Sequence, residues 1–263
     1  LITEETPRLL DVTDDNEFLS TNEYALAKAR EEDYLKSIGD NNYTIIRPYI
    51  TYNDNRLQLG VFEKEAWLYR ALHGRSIVFS KDIADRVTTL TSGDDVAKGI
   101  ASIIGNQEAK GQVYNITTNK TIKWDSVLKI YISVLEKFLG HTVGVVMTDR
   151  CTNFTFPKKK YQIIYCRYFN RSFDNSKIGM FCDVKTFKGA NEGLERCLMN
   201  FLSKPCFGLI DWATEGINDR VAKEFTPLSE ISGMGNRIAY LAYRYNCVWI
   251  YKLMHKIHHL VDQ

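Results

Sequence analysis

Apolar and polar residues follow two rhythms along the chain, one helical and one strand-like, and the two take turns. The spacing is helical over residues 23–37, and Gly39-Asp40-Asn41-Asn42 then supplies turn residues. These lead into Tyr43-Thr44-Ile45-Ile46-Arg47-Pro48, a short β-rich run that the proline stops. Residues 61–72 return to helical periodicity, with aromatic and aliphatic side chains on one side, Glu63, Lys64 and Arg70 on the other, and Gly74 to end it. Two short strands are predicted at 75–79 and 87–91, after which Ser92-Gly93-Asp94-Asp95 predicts a capped helix start with acids in its first turn. A strand at 112–116 and a helix at 124–139 continue the alternation. Beyond Arg150 the pattern turns mainly helical, at 184–202, 211–223 and 237 to about 259. Such interleaving marks an α/β layer protein. No internal repeat or low-complexity segment breaks it.

Composition narrows the class further. With 263 residues, 44% of them apolar, the chain can bury one sizeable core or a core and a smaller lobe. Its 34 basic and 32 acidic residues leave a net charge of +2, which argues against a general nucleic-acid binder. The basic run Lys158-Lys159-Lys160 reads as a solvated loop rather than a phosphate patch, because no arginine-rich or stacking pattern surrounds it. The six cysteines have no Cys-x-x-Cys spacing, so reduced thiols in a cytoplasmic protein are expected and no metal site is. No charged-then-apolar leader opens the sequence, and no apolar run reaches the ~18 residues of a membrane span.

The candidate chemistry sits in Asn22-Glu23-Tyr24-Ala25-Leu26-Ala27-Lys28. Helical spacing puts Tyr24 and Lys28 on one face. A phenol with a free pKa near ~10 is a poor base at neutral pH, and an ammonium one turn away favours the phenolate. The pair suggests an alcohol/ketone redox site, although an exposed helix face also produces such spacing. Ser20 and Thr21 read as caps of this helix.

The order of the pieces resembles the extended short-chain dehydrogenase/reductase family of sugar-nucleotide epimerases and dehydratases. Tyr24-x-x-x-Lys28 matches its active-site helix, and Ile46-Arg47-Pro48-Tyr49-Ile50-Thr51-Tyr52 is similar to the strand and loop that follow. Asp94-Asp95-Val96-Ala97, Gly111-Gln112-Val113-Tyr114-Asn115-Ile116 and Arg171-Ser172-Phe173-Asp174-Asn175-Ser176-Lys177-Ile178 resemble later segments in family order. The resemblance covers residues 1–205 or so. It implies hydride exchange between a sugar carbon and NAD or NADP, with Tyr24 moving the hydroxyl proton, Lys28 bonding the nicotinamide ribose, and Pro48 passing close to the nicotinamide. A nucleotide sugar is the implied substrate, with Arg86, Arg167 and Arg171 the candidates for its diphosphate. The chain departs from the pattern at Ile50, where many members have asparagine, and at Thr88, where an arginine is usual.

The family's opening strand, Gly-x-x-Gly-x-x-Gly turn and helix have no counterpart among the 23 residues before Tyr24. Gly233-Met234-Gly235-Asn236 follows no predicted strand and cannot replace them. The expected fold is therefore an incomplete Rossmann-like doubly wound α/β sheet with N-terminal strands missing and a mainly helical substrate lobe. Residues 1–150 read as the remainder of the NAD-binding domain with interleaved substrate-lobe segments, 151–236 as the C-terminal substrate lobe, and 237–263 as a basic aromatic helix. That last helix either packs on the lobe or touches an anionic membrane surface, and His255, His258 and His259 read as its basic end. The resemblance further implies pairing of two copies through the Tyr24 helix, and no measurable cofactor binding by the 263 residues alone. A non-catalytic relative or split subunit that binds a substrate or partner is the other reading.

Overall fold

The computed structural model describes residues 1–155 and 159–249. Lys158, most of the 237–263 segment's second half and its three histidines lie outside the described residues. The main helices are α1 (Tyr24–Ser37), α2 (Lys64–Leu72), α3 (Gly93–Ile103), α4 (Trp124–Leu139), α5 (Ala190–Ser203), α6 (Trp212–Ala222) and α7 (Met234–Arg244). The strands are β1 (Thr44–Arg47), β2 (Ile50–Tyr52), β3 (Ile77–Ser80), β4 (Val87–Ser92), β5 (Gln112–Asn115), β6 (Thr121–Lys123) and β7 (Val145–Thr148).

The strands form three small sheets. β1 and β5 pair in parallel, Ile45 opposite Val113 and Ile46 opposite Tyr114. β2 runs parallel to β4, which is antiparallel to β6, and β3 is parallel to β7. Parallel pairs need crossovers, and helices supply them, which gives the α/β interleaving that the sequence rhythm predicts. β7 was invisible to that rhythm because its side chains are all partly exposed, with Met147 40% so.

One core lies between β2, β3, α2, α4 and α5, where Trp67 stacks on Tyr131 with ring centroids 4.4 Å apart. A smaller core packs α3 against β5, through Val96, Ile103, Tyr114 and Ile116. A third joins α6 and α7 through Trp212, Ile231 and Tyr240. The helix expected over 61–72 starts at Lys64, because Gly60 at φ +59° and the bridge between Leu59 and Phe62 make a turn first. Its polar side is also not as the pattern implies, since Arg70 is fully buried. Of the helix expected from 237 to about 259, the described part runs Met234–Arg244 and is interrupted by Asn246 at φ +59°; residues 250–259 lie outside the described residues.

α6 and α7 cross at Gly216, where an added Cβ would sit 2.4 Å from the Tyr240 carbonyl oxygen and 3.0 Å from the Arg244 nitrogen. Both are backbone atoms, so the helices must separate to admit a methyl group. Gly216→Ala is expected to lower stability by about 1–3 kcal/mol despite alanine's better helix propensity, read as a lower urea midpoint at unchanged slope. No helix among the described residues is long and apolar enough to cross a membrane.

Candidate active site

Helix α1 begins one residue after Glu23, whose carboxylate accepts a hydrogen bond from the Ala25 amide at 2.7 Å and caps the helix. Ser20 and Thr21, the caps expected from sequence, instead donate their hydroxyls to the Glu17 and Phe18 carbonyls of the preceding turn, at 2.7 Å each. Only Leu26 and Ala29 of α1 are buried, so the helix rests on a narrow strip. Tyr24 and Lys28 face outward, and the Tyr24 side chain is 74% exposed. Lys28 Nζ stands 5.8 Å from the centroid of the Tyr24 ring. It donates to Glu31 Oε2 at 2.7 Å, and that hydrogen bond holds the ammonium pKa above its ordinary value. Glu31→Gln is expected to bring the Lys28 pKa down, a change that an NMR titration of its side-chain resonances reads directly.

Long-range contacts hold α1 in place. Arg47, the last residue of β1, forks onto Glu32, with Nε donating to Oε1 at 2.8 Å and Nη2 to Oε2 at 2.6 Å. Its Nη1 also donates to the Glu4 carbonyl at 3.2 Å. Burial pushes the Glu32 carboxyl up, and the hydrogen bonds from Arg47 outweigh it, leaving the pKa lowered. Arg8 adds an ion pair to Asp33 at 2.7 Å and donates to the Ala29 carbonyl. Glu32 lies four residues after Lys28 and eight after Tyr24, so helical spacing was the available signal. The fork joins the helix of Tyr24 and Lys28 to the strand end that carries Pro48, which is exposed.

Beyond Pro48, the Tyr49 ring packs on Phe173 with centroids 4.8 Å apart, and Tyr49 and Cys166 share a hydrogen bond of 2.8 Å. Burial pushes the Tyr49 phenol well above its usual range. The segment before α1 is clasped from the same side. Phe18 lies against Tyr161 and Tyr165, centroids 4.9 and 4.6 Å away, and Tyr165 donates to Asp15 at 2.6 Å.

The three arginines separate. Arg171 is partly buried, its amide donates to the Val87 carbonyl at 2.8 Å, and its Nη2 donates to the Tyr165 carbonyl. Exposed Arg86 precedes Val87, so these two meet at the start of β4. Arg167 belongs to the main core instead. Its Nε donates to the Gly60 carbonyl at 2.8 Å and Nη2 to Gln58 Oε1 at 3.1 Å, and its guanidinium lies over Trp124. Among the described residues no cluster of three metal-ligating side chains occurs.

A nicotinamide cofactor's ribose end fits the donor chemistry of an exposed phenol and ammonium on one helix face. Among the described residues its pyrophosphate end finds no glycine turn: Gly233 opens α7 after a 3-10 turn at Leu228–Glu230 rather than after a strand.

Among solved structures, the chain aligns with the PbgP3 protein from Burkholderia pseudomallei at 15% identity and a TM-score of 0.50, covering 69% of this chain and 53% of that one. The likeness is one of fold. This chain has a Rossmann-like α/β fold with parallel sheets. Other alignments are to UDP-glucuronic acid 4-epimerase from Bacillus cereus in complex with NAD, at 18% identity and TM-score 0.49, covering 74% and 53% of the two chains. RMD from Pseudomonas aeruginosa complexed with NADPH aligns at 14% identity and TM-score 0.49, covering 69% and 56%. The chain spans about half the length of the solved structures it matches. No protein-family model and no curated protein matches it.

Proposed function

We propose that the chain carries the acid/base and substrate side of an NAD(P)-dependent, epimerase/dehydratase-like oxidoreductase acting on a nucleotide sugar. The supporting observation is the Tyr24–Lys28 face, braced through Glu32 and Arg47 against the end of β1 at Pro48. A Rossmann-like fold and the family order of the motifs agree with it.

In this reading Tyr24, as phenolate, accepts the proton of a sugar hydroxyl while the carbon beneath loses hydride, and returns that proton when the carbonyl is reduced. Bound NAD(P) supplies the hydride acceptor. Lys28 leaves Glu31 to hydrogen-bond the ribose and to lower the energy of the tyrosinate. Pro48 stands just beyond the carboxyl end of β1, the side where open α/β sheets bind ligands. Arg171 and Arg86 are the arginines open to a diphosphate, and Arg167 supports the lobe from inside. Residues 1–150 form the cofactor-side unit, and 151–236 the substrate lobe. Pairing of two copies through α1 belongs to the same reading.

The Lys28–Glu31 pair favours a second reading, a non-catalytic relative that binds a sugar nucleotide or a partner. One assay separates the two. The native polypeptide carrying this sequence is incubated with NAD and a panel of UDP- and dTDP-sugars, and reduced nicotinamide and sugar products are followed. Turnover of one nucleotide sugar supports the enzyme, whereas saturable sugar-nucleotide binding without any conversion supports the binding module.

A further inference from the structure

The ends of α2, α6 and α7 enclose a polar cluster remote in kind from the Tyr24 face. Arg70 Nη1 donates to Glu215 Oε1 and to Asp219 Oδ1, both at 2.8 Å, and Nη2 donates to Glu224 Oε2 at 2.7 Å. Arg75 lies 3.0 Å from Glu215 Oε1 and forks onto Glu230 at 3.0 and 3.1 Å. The Thr226 hydroxyl, with one proton to give, lies 2.8 Å from Asp219 Oδ2 and 3.0 Å from Glu215 Oε1, Tyr240 donates to Asp219 at 2.7 Å, and Ser76 donates to Glu224 at 2.6 Å.

The charges do not balance. Four carboxyl groups, Glu215, Asp219, Glu224 and Glu230, face two guanidiniums. Glu224 and Glu230 reach solvent, while Glu215 and Asp219, one helical turn apart on α6, are buried. Asp219 receives three kinds of donor, from arginine, tyrosine and threonine. Glu215 Oε2 is buried and has no hydrogen-bond partner among the described residues. An excess negative charge in a dry interior is relieved by a proton, and Glu215 Oε2, which no donor satisfies, is the oxygen where a proton displaces no hydrogen bond.

We propose that Glu215 is a proton-operated latch that fastens α6 and α7 to α2 and β3 when it takes up a proton. Burial, working against the attraction of Arg70, raises the Glu215 pKa above its ordinary 4.5. For Asp219 burial is outweighed by the Tyr240 and Arg70 bonds, so its pKa is lowered from 3.8. The sign follows from linkage. A carboxyl whose folded pKa exceeds its unfolded value binds a proton on folding, so stability rises as pH falls through the folded pKa to 4.5. Asp219 acts in the opposite sense, and only below 3.8. The other titratable groups around Glu215 are Tyr69 and, at the exposed rim, His73 on the α2 side, with Tyr240 and Arg244 on α7. The 3-10 turn Cys151–Phe154, also packed on α6, brings only the Cys151 thiol, which burial raises to about 12.

Hydrogen exchange of the α6 and α7 amides tests the latch. As pH is lowered from neutrality to 4.5, after correction for intrinsic rates, wild-type protection is expected to rise several-fold. Glu215→Gln, isosteric and neutral, is expected to be more protected at the higher pH and to lose the slope, while His73→Asn keeps it. A flat wild-type profile overturns the proposal, whether or not the variants fold. So does a slope that survives Glu215→Gln or disappears with His73→Asn.

Discussion

Replacing Arg70 by methionine is expected to destabilise the protein by about 3–5 kcal/mol. Methionine fills much of the arginine's volume, so the loss arises from charge rather than from a cavity. Arg70 has no exposed surface, and its guanidinium holds Glu215, Asp219 and Glu224 while its Nε donates to the Ser76 carbonyl at 2.9 Å. Without it the buried acids face one another with Arg75 as the remaining cation. A domain's whole stability is about 5–15 kcal/mol, so a loss of that size moves a urea transition far to the left. The variant should recover part of the loss on acidification, because the acids left behind can then be neutralised. A midpoint unchanged at neutral pH would mean that the acids are satisfied by other donors.

Tyr24→Phe is expected to reduce turnover of the nucleotide sugar by about 10²–10⁴-fold, the usual contribution of a positioned proton-transfer group. Tyr24 is mostly exposed, and its removal disturbs little packing. Substrate affinity and melting temperature should therefore stay near wild type. A kcat that falls with KM unchanged is the signature of an interaction made in the transition state. Equal loss in melting temperature would instead assign Tyr24 a structural role.

Much of the fold was legible in the sequence because its helices and strands keep regular period. Trp124–Leu139 matches its predicted bounds, α1, β1 and β4 lie within a residue or two of theirs, and α3 starts where a helix start was expected. The face shared by Tyr24 and Lys28 was equally plain, since a four-residue spacing fixes it. What the sequence could not express was long-range partnership. Arg70 falls on the polar side of its helix by pattern, yet acids 145 and 149 residues away close over it. Arg167 reads as a candidate phosphate ligand until the Gly60 carbonyl, Gln58 and the Trp124 ring are seen around it. Glu32 was within reach of helical spacing, but its partner, Arg47, lies across a turn and a strand.

Those contacts bear on the site as well as the fold. The Arg47–Glu32 fork is a long-range contact, and it is the link that orients the Tyr24 helix relative to Pro48. Lys28, by contrast, is held by a neighbour on its own helix, so the ribose contact proposed for it requires a change of partner.

The most direct test is a single-turnover measurement with the native polypeptide carrying this sequence, NAD and the preferred nucleotide sugar, comparing wild type with Tyr24→Phe. Wild type should form the keto-sugar and reduced nicotinamide, and Tyr24→Phe should lose that conversion while still binding the sugar. A Tyr24→Phe protein that turns over at the wild-type rate would contradict the assignment of Tyr24 as the acid/base.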